Sequence, residues 1–178
     1  RCNGSFDKVL PFRFIAAARH AVRYEPPLEQ AMLSCLRELP KLAGRTALIV
    51  DTSGSMWQEK VSAKSELDRF DAAAALAILL REQCEHVTMW AFNERTHEVP
   101  SRHGFALRDA LAATKGCASC GGDAVAAANA MGYDRIIVLT DGQWHYGGNG
   151  YVSGMGAAQT VSPAPLTPLA YMVNVGTY

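Results

Sequence analysis

The chain has 178 residues, 49% of them hydrophobic, with 17 basic side chains against 17 acidic ones. That length and apolar content support the core of one domain plus an appendage. Zero net charge excludes a surface that wraps nucleic acid by bulk electrostatics and leaves only local basic patches for that role. No apolar run reaches the roughly 18 to 20 residues a membrane-spanning helix needs, so no membrane partner is expected.

The sequence begins Arg1-Cys2-Asn3-Gly4 without methionine and reads as a piece of a longer protein. Residues 1–45 read as helical. An alanine-rich stretch over 12–22 carries Arg13, Arg19 and His20, with Arg23 just beyond, and Pro26-Pro27 mark a new helix start. Leu28, Met32, Cys35, Leu36 and Leu39 recur at spacings of three and four, the pattern of an amphipathic helix closed by Pro40 and Gly44. The cations of this arm are either a solvated helix face or a contact for a polyanion.

An apolar run over 46–50 predicts a strand buried on both faces, and it ends in Asp51-Thr52-Ser53-Gly54-Ser55. A polar loop covers 51–63. Ser65-Glu66-Leu67-Asp68 has the capping-box pattern and predicts a helix through Leu80. Strands follow at 87–92 and, short and polar, at 96–99, the latter at a sheet edge. Helices are expected at 105–113 and 123–131, separated by a loop rich in glycine and cysteine over 116–122. A second fully apolar strand, 135–139, ends in Thr140-Asp141-Gly142. A glycine-rich excursion over 142–165 carries Trp144, His145, Tyr146 and Tyr151, and a last strand occupies 169–175. Strands alternating with helices predict an α/β fold: a doubly wound, mostly parallel sheet with helices on both faces, preceded by a helical segment.

Two apolar strands ending in aspartate bring both acids to one crevice if those strands are neighbours where the winding reverses. Asp51 and Asp141 with Ser53 and Ser55 then supply two carboxylates and two hydroxyls, a donor set suited to a hard divalent cation, magnesium first, with calcium or manganese as alternatives. The competing reading of each acid is a helix cap. The five cysteines, Cys2, Cys35, Cys84, Cys117 and Cys120, are odd in number and scattered, which suits a reducing, cytoplasmic setting. Cys117-x-x-Cys120 has no second pair and reads as two loop cysteines rather than a zinc site.

Asp51-x-Ser53-x-Ser55, Gly121-Gly122 and Thr140-Asp141-Gly142 together resemble the metal-ion-dependent adhesion site of von Willebrand factor A domains over 45–178. Upstream, Val9-Leu10-Pro11-Phe12-Arg13-Phe14, Ala16-Ala17-Ala18-Arg19 and Leu28-Glu29-Gln30-Ala31 resemble the Ro autoantigen family of TROVE-module proteins. In that family a ring of helical repeats precedes the A domain. The resemblance implies that 1–44 is the end of the ring and 45–178 the A domain. It further implies a ribonucleoprotein component that binds small structured non-coding Y RNAs and the ends of misfolded RNAs in RNA quality control. Arg13, Arg19, His20 and Arg23 are the cations available here for RNA. A-domain sites carry a threonine after Gly-Gly, whereas this chain has Asp123. Either Asp123 joins the metal ligands, adding charge that disfavours an acidic protein ligand at the site, or Ser119 furnishes the hydroxyl.

An enzyme is not expected. Aspartyl phosphotransferases also use a strand-end Asp, but they need a second acid two residues on, where this chain has Ser53. Neither a phosphate-binding G-x-x-x-x-G-K-[ST] loop nor a G-x-S-x-G elbow occurs. The alternative to the RNA reading is a generic divalent-cation-dependent protein-interaction module. The chain is expected to be monomeric.

Overall fold

The computed structural model describes residues 9–37, 40–143 and 164–176. The strands are β1 (Leu42–Asp51), β2 (Cys84–Phe92), β3 (Thr96–Val99), β4 (Arg135–Thr140) and β5 (Leu169–Asn174). They form one sheet in the order β3-β2-β1-β4-β5, parallel throughout except for the antiparallel edge strand β3. The helices are α1 (Pro11–His20), α2 (Glu25–Arg37), α3 (Gly54–Gln58), α4 (Arg69–Gln83), α5 (Gly104–Ala112) and α6 (Gly121–Met131).

Period-two alternation along the central strands divides the core into two layers. Leu48, Val50, Met89, Ala91, Ile137 and Leu139 pack beneath α4 and α5, whose Phe70, Ala74, Leu107 and Leu111 fill that side. Ala47, Ile49, Ile136 and Val138 face the other way, onto Ala124, Val125 and Ala128 of α6. The alanines let α6 approach the sheet closely. This is the doubly wound α/β arrangement, with helices on both faces.

The two leading helices belong to the first of these layers. Pro11 opens α1, and Pro26 and Pro27 sit in the first turn of α2, where a missing N–H breaks no helical bond. Phe14, Ile15 and Ala18 of α1, with Met32 and Leu36 of α2, are buried in the same cluster as α4. The helical segment before residue 45 therefore shares its core with the sheet.

β2 and α6 begin earlier than expected, at Cys84 and Gly121, and three further differences each have a local reason. β1 starts at Leu42 rather than 46, because Gly44 takes φ +86° at a bulge between Leu42 and Arg45 and keeps the strand paired beyond it. The polar loop after β1 contains the short helix α3, with Ser53 at its N-cap. The cap of α4 is Asp68, whose side chain accepts from Asp71 N, whereas the Ser65 hydroxyl accepts from Leu67 N in a turn just upstream. The expected capping box therefore lies three residues too early.

The chain leaves β1 toward β2 on one side and later returns across the sheet to β4 on the other. That reversal opens a crevice at the carboxyl ends of β1 and β4, which end in and are followed by Asp51 and Asp141 respectively. The excursion bearing Trp144, His145, Tyr146 and Tyr151 lies outside the described residues, as does Cys2.

Candidate metal centre

Asp51 and Asp141 are both fully buried. Asp51 Oδ1 accepts from the backbone N–H of Ser53, 2.9 Å away, so the turn after β1 is built on its own carboxylate. Its Oδ2 accepts a 2.7 Å hydrogen bond from Thr140 Oγ1 at the end of β4 and a 3.4 Å one from Ser119 Oγ. Ser53 Oγ and Ser55 Oγ lie 3.5 Å apart beside it. Four hydroxyl-bearing residues thus gather around one buried carboxylate. Burial pushes the Asp51 carboxyl upward, the hydrogen bonds from Ser53 and Thr140 pull it back, and the negative charge of Asp141 adds to the upward push.

Thr52 fixes the end of β1 from the opposite direction. Its N–H donates to Phe92 O, its hydroxyl lies 3.1 Å from both Phe92 O and Thr114 O with one proton to give, and its carbonyl accepts from Gly116 N. Trp57 Nε1 donates to the same carbonyl, while its ring stacks on Phe70 at 3.8 Å between centroids. Glu94 accepts from Cys117 N and Ala118 N, and its own backbone N–H first, with these two donors after it, holds its carboxyl down. The loop that presents Ser119 is therefore tied to β1 and to the turn after β2.

The crevice already contains a cation. Arg69, the first residue of α4, is 3% exposed, and its Nη1 donates to Asp141 Oδ2 at 2.8 Å. Its Nη2 lies 2.5 Å from Glu59 Oε2. The other oxygen of Asp141 accepts from Gln143 N. Three carboxylates (Asp51, Asp141 and Glu59) against one guanidinium leave a net charge of −2 when all are ionised. Buried carboxylate oxygens with adjoining hydroxyls are a donor set suited to a divalent ion, although among the described residues no three His, Cys, Asp or Glu side chains converge on one ion-sized site. Asp51, Ser53 and Ser55 would hold it, and Asp141 carries charge already shared with Arg69. Such an ion supplies an electrophilic centre at which a ligand oxygen can be captured.

The remaining expected site residues make other contacts. Asp123 is the third residue of α6 and half-buried. Its charge acts on Cys120, whose thiol is pushed up first by burial and then by Asp123 and Glu94. Ser119 is thus the side chain of this loop that reaches Asp51. Cys117 and Cys120 are free thiols, the first exposed and the second half-buried, in the loop leading into α6.

On α1, Arg19 Nη2 pairs with Asp68 at 2.8 Å and Asp71 at 2.6 Å, and His20 Nε2 lies 2.9 Å from Glu66. Those two side chains are engaged with the segment that starts α4. Arg13 and Arg23 instead lie over the rings of Phe12 and Tyr24, at 5.5 and 4.8 Å from their centroids. Among the described residues, no helix is long and apolar enough to cross a membrane.

No curated protein matches the chain. Among solved structures, the crystal structure of the Deinococcus radiodurans RO (RSR) protein is similar in fold, with a TM-score of 0.56 at 21% identity. That similarity covers 70% of this chain and 26% of the other. A family model described as the Ro60 vWA domain matches residues 45–153, more than half of the 178. The chain belongs to the Ro60 vWA domain family.

Proposed function

We propose that this chain is a divalent-cation-dependent binding module, not a catalyst, within a Ro-like ribonucleoprotein component. The observation that carries the metal half of this reading is the fully buried Asp51 carboxylate ringed by Ser53, Ser119 and Thr140, next to a second buried acid at Asp141. A carboxylate kept from water without a cation is costly, and oxygen donors of this kind select a hard ion such as magnesium. The absence of a second acid at Ser53 supports binding over phosphoryl chemistry.

Titration of the chain with manganese, followed by calorimetry and by the paramagnetic signal of free ion, tests this half. Saturable binding at one site, lost in Asp51→Asn and weakened at least about tenfold in the Ser53→Ala/Ser55→Ala pair, is the expected result. Equal uptake by wild type and Asp51→Asn would remove the site.

The RNA half rests on family membership, which supports small non-coding RNA and misfolded RNA as proposed partners of a longer protein. Within this chain the support is Arg13 and Arg23, each lying over an aromatic ring. Arg19 and His20 are engaged with Asp68, Asp71 and Glu66. RNA affinity of the longer protein that falls steeply with salt, and drops further in Arg13→Ala/Arg23→Ala, supports this reading. The crevice itself favours a second reading, a protein-interaction module that works through the ion alone. A protein partner released by EDTA, with RNA affinity unchanged in the double variant, would select it.

A further inference from the structure

We infer that Arg69 is a built-in counter-cation of the crevice, a positioning residue that holds Asp141 away from an incoming ion and so sets how tightly a divalent ion binds. The inference rests on the metal reading above, and it goes beyond it in assigning the control of affinity to a residue that is not a ligand.

The argument starts from an oddity. Arg69 begins α4, where a cation opposes the helix dipole and gains nothing from it. It is nevertheless 3% exposed, so its charge must be compensated by specific partners. The compensation comes from both ends of the fork, Nη1 on Asp141 at 2.8 Å and Nη2 on Glu59 at 2.5 Å. The guanidinium also passes over Gly176 beyond β5, where a Cβ would come within 3.1 Å of both Cζ and Nε. A glycine backbone on one side and two carboxylates at its ends hold the group in one position.

Two consequences follow from Coulomb's law. Removing the guanidinium deepens the summed charge of these side chains from −2 to −3 and removes a donor from Asp141 Oδ2, so an ion binds more tightly. Removing Glu59 raises the charge to −1 and leaves Arg69 wholly to Asp141, so an ion binds more weakly. A purely structural arginine gives no reason for these two changes to act in opposite directions.

Manganese binding to the 178-residue chain, measured by calorimetry on wild type, Arg69→Met, Arg69→Lys and Glu59→Gln, tests this directly. The expected pattern is tightening of at least about tenfold in Arg69→Met, weakening of about threefold in Glu59→Gln, and a value within about twofold of wild type in Arg69→Lys. Glu59 is 52% exposed at its side chain, so Glu59→Gln remains informative even if Arg69→Met does not fold. Wild-type binding left unmoved by Arg69→Met, or by Glu59→Gln where Arg69→Met does not fold, overturns the inference and leaves the metal reading standing. Absence of binding in every variant overturns both. Binding by Arg69→Met where wild type shows none supports the inference in its strongest form.

Discussion

Thr140 Oγ1 donates a 2.7 Å hydrogen bond to Asp51 Oδ2, joining the ends of β4 and β1 across the crevice. Both residues are fully buried, and the same hydroxyl accepts from Gly142 N. Thr140→Val keeps the shape and removes both bonds, leaving a buried carboxylate with one donor fewer. The expected loss is about 2 kcal/mol of stability, read from urea unfolding. Thr140→Ser retains the hydroxyl and should lose less than half of that. A neutral Thr140→Val would mean that the strand ends are held by the sheet alone.

Much of this geometry is legible in the sequence, and the part that is not has definite causes. Apolar runs ending in Asp51 and Asp141 announce two buried strands, and the alternation of strands with helices announces a parallel sheet, so the crevice can be anticipated. The start of β1 cannot, because Gly44 reads as a stop while its positive φ in fact extends the strand through a bulge. The cap of α4 is misread for a related reason: Ser65 and Asp68 both match cap chemistry, and only the fold selects Asp68. Arg69 is the residue least legible in the sequence. A cation at the first position of an alanine-rich helix is visible there, yet its partners emerge only when the fold brings residues 59, 69 and 141 together. The same holds for Arg19 and His20, whose acid partners lie 46 to 52 residues away in sequence and cannot be seen from local charge patterning.

The loop between α5 and α6 and the start of α6 offer two oxygen donors with different neighbours. Ser119 Oγ reaches Asp51, whereas the charge of Asp123 falls on Cys120. Ser119→Ala should weaken manganese binding by about threefold to tenfold, and Asp123→Asn should leave it within about threefold of wild type. Asp123→Asn should instead lower the Cys120 thiol from its raised position and speed its alkylation by iodoacetamide at neutral pH. The reverse pattern would make Asp123 a ligand.

Stability should depend on pH through Asp71. Burial is the main cause of its raised pKa, the neighbouring charge of Asp68 adds to it, and Arg19 opposes it; the result is a carboxyl pushed from 3.8 to about 7. Because the folded state holds this proton more tightly than the unfolded chain, the contribution is fully present below about pH 4. It is lost as pH rises toward about 7, where the folded carboxyl ionises as well, and it is flat above that. Asp71→Asn cannot titrate, and it keeps the backbone N–H that donates to Asp68. The difference in unfolding free energy between wild type and Asp71→Asn should therefore fall between about pH 4 and pH 7. A difference that rises over this range would mean that the ion pair with Arg19 outweighs burial.

Gly176 tests how rigidly Arg69 is held. A methyl group there would lie 3.1 Å from Cζ and Nε of Arg69 and 3.3 Å from Asn174 Oδ1, closer than ordinary packing permits. Asn174 Oδ1 accepts from Gly176 N, and the guanidinium is fixed at both ends by Asp141 and Glu59. Gly176→Ala should therefore cost about 1 to 2 kcal/mol. If the ion pairs are what prevents the arginine from retreating, releasing one of them should make the methyl easier to accommodate. The Gly176→Ala/Glu59→Gln double variant is then expected to lose less than the two single losses combined, by at least about 0.5 kcal/mol in a double-mutant cycle. Strict additivity would show that the methyl is resisted by the backbone around Asn174, and that Arg69 moves freely in its slot.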